Sequence, residues 1–144
     1  MIRDGLDGLG DAAHDVCVIG SGPGGITLAL ELERLGRSVL VLESGGDGAE
    51  PQAQALSEAH IADPKRHDPM SIAVARRLGG TANLWGGRCV PFDPLDFEPR
   101  PIIGGRLWPI GFADIAPYIA GAAAYACAGV PAVSYTHLRA PRQA

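Results

Sequence analysis

The sequence predicts an α/β fold that opens with a strand–turn–helix–strand unit, passes into a long Gly- and Pro-rich segment and adds one further helix. Three observations carry this reading: two four-residue apolar runs, an amphipathic stretch between them, and glycines at both ends of that stretch. Val16, Cys17, Val18 and Ile19, bounded by Asp15 and Gly20, form the pattern of a strand buried on both faces of a parallel sheet. From Ile26 to Leu35, apolar Leu28, Leu32 and Leu35 alternate with Glu31, Glu33 and Arg34 at helical spacing. Gly36 supplies the left-handed C-terminal cap, and Val39 to Leu42 make a second buried strand with Glu43 at its carboxyl end.

The remaining elements are weaker. Residues 44–68 read as an exposed excursion with at most a short helix near Ala53 to Ala59, and Met70 to Leu78 fits two helical turns stopped by Gly79 and Gly80. Residues 79–111 form a Gly- and Pro-rich stretch of a length that is usually functional or packed on something larger. A last helix is expected from near Ala113 to about Ala128, with Asp114 beside the positive end of its dipole, Pro117 in its first turn, and Gly129 and Pro131 ending it. Met1 to His14 is polar and Gly-rich and reads as a flexible lead-in.

Composition excludes several functional classes. A formal charge of −4 over 144 residues, and a pI near 5.5, leave no basic surface for a nucleic-acid backbone. Arg76, Arg77 and Arg88 are the notable basic cluster, read as a solvated loop face, with contact to a phosphate-bearing ligand as the alternative. Cys17, Cys89 and Cys127 are odd in number and far apart, which supports neither a disulfide framework nor a metal site. Without an apolar signal region or a run of about 18 apolar residues, a cytoplasmic location and no membrane span in this segment are expected.

The chemistry lies in the turn Gly20-Ser21-Gly22-Pro23-Gly24-Gly25. Gly20 permits the tight turn out of the strand, Gly22 lets backbone approach a phosphate, and Gly25 allows helix to pack closely on strand. The helix N-terminus then offers N–H groups and partial positive charge to a pyrophosphate. Glu43 stands 23 residues after Gly20, the spacing of a carboxylate that binds an adenosine ribose and repels a 2′-phosphate. The unit is therefore Rossmann-like and dinucleotide-binding, with Ser44 adjoining the ribose carboxylate. These residues do not separate FAD from NAD, because both present the same ADP half.

Residues 77–88, Arg77-Leu78-Gly79-Gly80-Thr81-Ala82-Asn83-Leu84-Trp85-Gly86-Gly87-Arg88, resemble the second flavin-contacting motif of the glucose-methanol-choline (GMC) oxidoreductases. Val90 to Glu98, Trp108-Pro109-Ile110 and Asp114 to Tyr118 are similar to that family's continuation, and the resemblance runs from about Asp15 to Val130. It implies a flavoprotein that oxidises an alcohol or sugar hydroxyl by hydride transfer to FAD, with Gly79, Gly80, Thr81, Asn83, Trp85 and Gly86 along the cofactor. Some members bond the flavin to a His just before the Trp of this motif; Leu84 stands there, so FAD is expected to be non-covalent. Trp85 is expected to pack rather than react.

The resemblance also implies a catalytic His with a His or Asn partner in a C-terminal part, and no residue here matches that motif. His14, His60, His67 and His137 read as surface residues, so no catalytic residue is assigned, no metal is expected, and the electron acceptor is open. Val133-Ser134-Tyr135-Thr136-His137-Leu138-Arg139-Ala140-Pro141-Arg142 departs from the family pattern and resembles translated sequencing-adapter sequence, making 133–144 an expected non-native tail. Residues 15–132 would then be an incomplete FAD-binding domain of GMC type, with open sheet edges, poor folding on its own and weak or no FAD binding. Two alternatives stand: an NAD-binding domain of another dehydrogenase, which leaves residues 77–118 unexplained, and a non-catalytic flavin-binding module.

Overall fold

The computed structural model describes residues 2–7, 9, 12–87, 89–99 and 107–128. Arg88, Gly129, Pro131 and the 133–144 tail lie outside the described residues. The chain forms two compact units, Met1–Trp85 and Gly86–Ala144.

The first unit is built on β1 (Val16–Ile19), α1 (Pro23–Arg34) and β2 (Val39–Leu42), the two strands pairing in parallel with Val16 opposite Val39 and Ile19 opposite Leu42. The pairing continues into the turn, where the Gly20 N–H donates to Leu42 O at 2.7 Å. Helix α1 begins three residues earlier than the apolar pattern implies. Pro23 occupies its first turn, where a missing N–H costs nothing because no helical carbonyl would receive it. At the other end Gly36 has φ +75°, the left-handed cap the sequence requires.

The helix lies on the sheet along a different line from the leucine stripe. Gly25, Ala29 and Leu32 are partly buried, whereas Leu28 and Leu35 are 51% and 74% exposed. The reason is at Gly25: a Cβ there would meet Gly20 O at 2.0 Å and Val18 Cγ1 at 3.3 Å, so this glycine fixes which face touches the strand. Burial of the strands on both faces does not hold here. Only Val18 of β1 is buried, and Ile19 is 86% exposed, because α1 covers one face of a two-stranded sheet.

Beyond β2, α2 spans Pro51–Ala55 and α3 only Met70–Ala73, one turn rather than two. Val74 leaves the helix in extended conformation (φ −131°, ψ 143°), a region that β-branched residues favour. Gln54 ties these pieces together, donating from Nε2 to Val74 O (3.0 Å) and accepting from the Arg76 N–H at Oε1 (3.1 Å). The glycine-rich segment that follows is not structureless: Gly80–Leu84 is a 3-10 turn entered through Gly79 at φ +85°.

In the second unit, Pro94–Phe97 forms another 3-10 turn, and Phe97 stacks edge-on with Phe92 (5.9 Å) and Phe112 (6.2 Å), with Trp108 at 6.4 Å. The expected last helix is split into α4 (Phe112–Ile115) and α5 (Ile119–Tyr125) by a 3-10 turn over Ala116–Tyr118. The split falls at Pro117, which lies beyond the first turn of a helix starting at Phe112, where its missing N–H and its ring cannot continue the ladder. Asp114 accepts from the Gly111 N–H at 2.7 Å, closing the helix N-terminus.

Candidate functional site

The site is assembled by one small, buried side chain. Ser21, 1% exposed, donates from its backbone N–H (2.8 Å) and its hydroxyl (2.6 Å) to Glu43 Oε2. The same hydroxyl accepts from the Gly79 N–H at 3.1 Å. Ser21 thus joins the first glycine turn, the end of β2 and the second glycine turn. Gly80 completes the join: its backbone, at φ +59°, comes so close that a Cβ would lie 3.3 Å from the Cα of Gly22.

Glu43 is the electrostatic centre. Its second oxygen, Oε1, accepts from the backbone N–H groups of Ser44 (2.8 Å) and Gly45 (3.1 Å) and more weakly from the Ser44 hydroxyl (3.3 Å). Burial pushes the carboxyl up, but donation from the Ser21 hydroxyl, then from the N–H groups of Ser21, Gly45 and Ser44, outweighs it and holds the pKa at about 2. The carboxylate is charged at any physiological pH. Its own chain fills most of its acceptor capacity, so an incoming hydroxyl would displace the long Ser44 contact first.

A cleft of about 450 Å³ opens beside it, lined by Gly20, Gly22, Glu43 and Ser44 on one hand and by Val74, Arg76, Gly80 and Thr81 on the other. Gly20, Gly22 and Gly24 have nothing within 4 Å where a side chain would stand, so the turn offers bare backbone for a ligand to approach. The first turn of α1 adds N–H groups that have no helical partner. A bare glycine turn, a helix N-terminus, a charged carboxylate and a cleft of this volume together fit the ADP half of a dinucleotide.

Residues 13–62, which contain the strand, the turn, the helix and Glu43, match the family described as FAD binding domain. The cofactor is FAD. The chain is similar to 6'''-hydroxyparomomycin C oxidase of Streptomyces lividus, 34% identical over 128 residues that cover 81% of this chain and 23% of the oxidase. It is similar also to paromamine 6'-oxidase of Streptomyces fradiae, 32% identical with 81% and 24% covered. A third relative, 2-methyl-1,2-propanediol dehydrogenase of Mycolicibacterium austroafricanum, is 27% identical with 72% and 22% covered. The chain spans about a quarter of the length of these relatives. No solved structure matches it.

The structure brings most of the sequence-derived residues together. Gly20, Ser21, Gly22, Glu43, Ser44, Gly79, Gly80 and Thr81 meet at the cleft or at the Ser21 junction, and Pro23, Gly24 and Gly25 form the first turn of α1. Asn83 lies on the 3-10 turn and spends both amide hydrogens on Leu78 O (2.9 Å) and Gly80 O (2.8 Å), bracing the second glycine turn and leaving Oδ1 open. Trp85 follows it, half exposed, while Gly86 begins the second unit.

Two groups were not legible from the sequence. Gly45 packs so tightly that a Cβ would lie 2.2 Å from Arg76 O, holding the 76–78 segment against the end of β2. Arg76 and Arg77 are not a solvated face but partly buried. Arg77 donates to Asp47 O, and Arg76 donates from Nε to the Ser57 hydroxyl and from Nη1 to the Ser44 hydroxyl, each at 2.9 Å.

Proposed function

We propose that this chain is the N-terminal, FAD-binding portion of an oxidoreductase of GMC type that oxidises an alcohol or sugar hydroxyl. The observation that carries the reading is the Ser21 junction, which puts two glycine turns far apart in sequence, and a charged Glu43, around one cleft. In this reading the Rossmann-like turn and the helix N-terminus take the pyrophosphate. Glu43 and Ser44 take the adenosine ribose, and Gly79, Gly80, Thr81, Asn83 and Trp85 lie toward the flavin. Bound FAD supplies a two-electron acceptor for hydride; the residues of this chain bind and orient it, and a base that takes the hydroxyl proton is not among them.

Substrate class rests on the relatives' names, two of which are oxidases of aminoglycosides and one a diol dehydrogenase. A small hydroxylated substrate, amino sugar or diol, is common to all three names. Leu84, where covalent family members carry His, supports non-covalent FAD. Val18 and Ala53 are the buried apolar side chains among the described residues, which supports weak rather than tight FAD binding by the chain alone.

The test is a titration of the chain with FAD and with ADP, followed by flavin fluorescence and by the amide resonances of Gly20 to Gly25. Weak binding that moves those amides is the expected result. Failure of both ligands to move them at millimolar concentration would refute the reading, and a cooperative melt with stoichiometric FAD would overturn its incompleteness.

A further inference from the structure

Arg76 lines the cleft that holds Glu43, yet no part of the function proposed above uses it. Its position is fixed three times over. Gln54 Oε1 accepts from its backbone N–H (3.1 Å), the Ser57 hydroxyl from its Nε, and the Ser44 hydroxyl from its Nη1 (both 2.9 Å). Gln54 is itself anchored by donation to Val74 O at 3.0 Å. An arginine side chain loses much rotamer freedom when it binds a ligand, and here it is immobilised within the protein before any ligand arrives.

We propose that Arg76 is the contact for the adenine base of FAD, its guanidinium plane held beside the ribose site to receive the ring. The inference rests on the FAD reading of the cleft. Three features select a base over a phosphate. The guanidinium has two edges able to grip an oxyanion with paired N–H groups, and both are compromised, one at Nε by Ser57 and the other at Nη1 by Ser44. Arg76 lines the cleft with Nη2 unbonded among the described residues, and a planar guanidinium there suits stacking on, and donation to, a flat heteroaromatic ring. Glu43 lies one hydroxyl away, through Ser44, and its negative charge repels a second phosphate at this place while leaving a neutral base unaffected.

The order of groups agrees. A ligand with its pyrophosphate at Gly20 to Gly25 and its ribose at Glu43 has only its base left to place, and the Ser44 hydroxyl that touches Glu43 also touches Arg76. Val74 and Ala75, which line the same cleft, add apolar surface for the base. Arg77 makes the contrast: it turns to Asp47 O and is not among the residues lining the cleft.

The experiment follows the Arg76 Nε–H resonance of the whole chain during titration with ADP, inorganic pyrophosphate and 2′,5′-ADP. ADP is expected to shift it by ring current, and pyrophosphate to leave it in place while still moving Gly20 to Gly25. Arg76→Ala is expected to weaken ADP binding about fivefold and pyrophosphate binding not at all. Arg76→Lys should behave like Arg76→Ala, because an ammonium lacks the plane. The wild-type resonance keeps the test decisive even where a variant fails to fold. An Nε–H that stays still while the glycine amides respond to ADP overturns the role of Arg76 and leaves the FAD reading standing. Tighter binding of 2′,5′-ADP than of ADP also overturns it, making Arg76 a phosphate contact. Glycine amides that ignore ADP and FAD alike sink the FAD reading itself, and this role with it.

Discussion

Glu43→Gln is the substitution that most directly tests the electrostatics of the junction. Oε2 faces two donors on Ser21, and Oε1 faces the N–H groups of Ser44 and Gly45. An amide has one oxygen, so either orientation points an NH₂ at a backbone N–H that cannot turn away. An orphaned buried donor costs about 1–3 kcal/mol. The carboxyl's fall from 4.5 to about 2 would contribute about 3 kcal/mol at full value. Glu43 is only partly buried, and solvent screening lowers this to about 1–2 kcal/mol.

The sign follows from linkage. The folded pKa lies below the unfolded one, so the stabilisation is fully present above about pH 4.5 and is lost as pH falls toward 2. A total loss of about 2 kcal/mol at pH 7 lowers Tm by about 10 °C in a unit of this size. Thermal melts of wild type and variant should differ strongly at pH 7 and clearly less at pH 3, where the folded-state carboxyl is still mostly charged but the unfolded one is not. Carbon-13 titration of the Glu43 carboxyl should give a midpoint near 2. A midpoint near 4.5, or parallel pH profiles for the two proteins, would refute the reasoning.

Three other outcomes are expected. Gly25→Ala forces a Cβ to within 2.0 Å of Gly20 O and should destabilise the unit by about 3 kcal/mol in urea unfolding, whereas Gly24→Ala meets open space and should leave stability unchanged or raised. Ser21→Ala removes the hydroxyl bond to Glu43, keeps the backbone one and orphans the Gly79 N–H, so Tm should fall and the Gly79 amide should exchange at least tenfold faster, about the effect of 1.4 kcal/mol, in hydrogen exchange. Acid precipitation of FAD-loaded protein should leave the yellow colour in the supernatant; colour retained in the pellet would mean a covalent flavin.

The strand–turn–helix–strand unit was legible because its signals are local. Two short apolar runs, Gly20 and Gly36 at positive φ, and Glu43 at its spacing are written into adjacent residues, and the structure repeats them with the same strand bounds. The less legible parts depend on how an element packs and where it starts. Leu28 and Leu35 look like a core stripe by period, but the helix face is chosen by the missing side chain of Gly25 against Gly20. Pro117 reads as a first-turn proline, but it lies beyond the first turn, and the helix breaks there into a 3-10 turn.

At the site, the glycines proposed to take the phosphates were readable as a motif because bare backbone requires glycine wherever it occurs. What only the tertiary structure decided is how the turns meet. Ser21 reads as a filler between two glycines, yet its burial lets one hydroxyl serve both Glu43 and Gly79, 58 residues away. Arg76 reads as one charge in a basic run, yet the hydroxyls of Ser44 and Ser57 fix it one hydroxyl away from Glu43. Local backbone requirements leave marks in neighbouring residues; hydrogen bonds between distant residues leave none, because any polar side chain of the right reach satisfies them once the fold has brought it there.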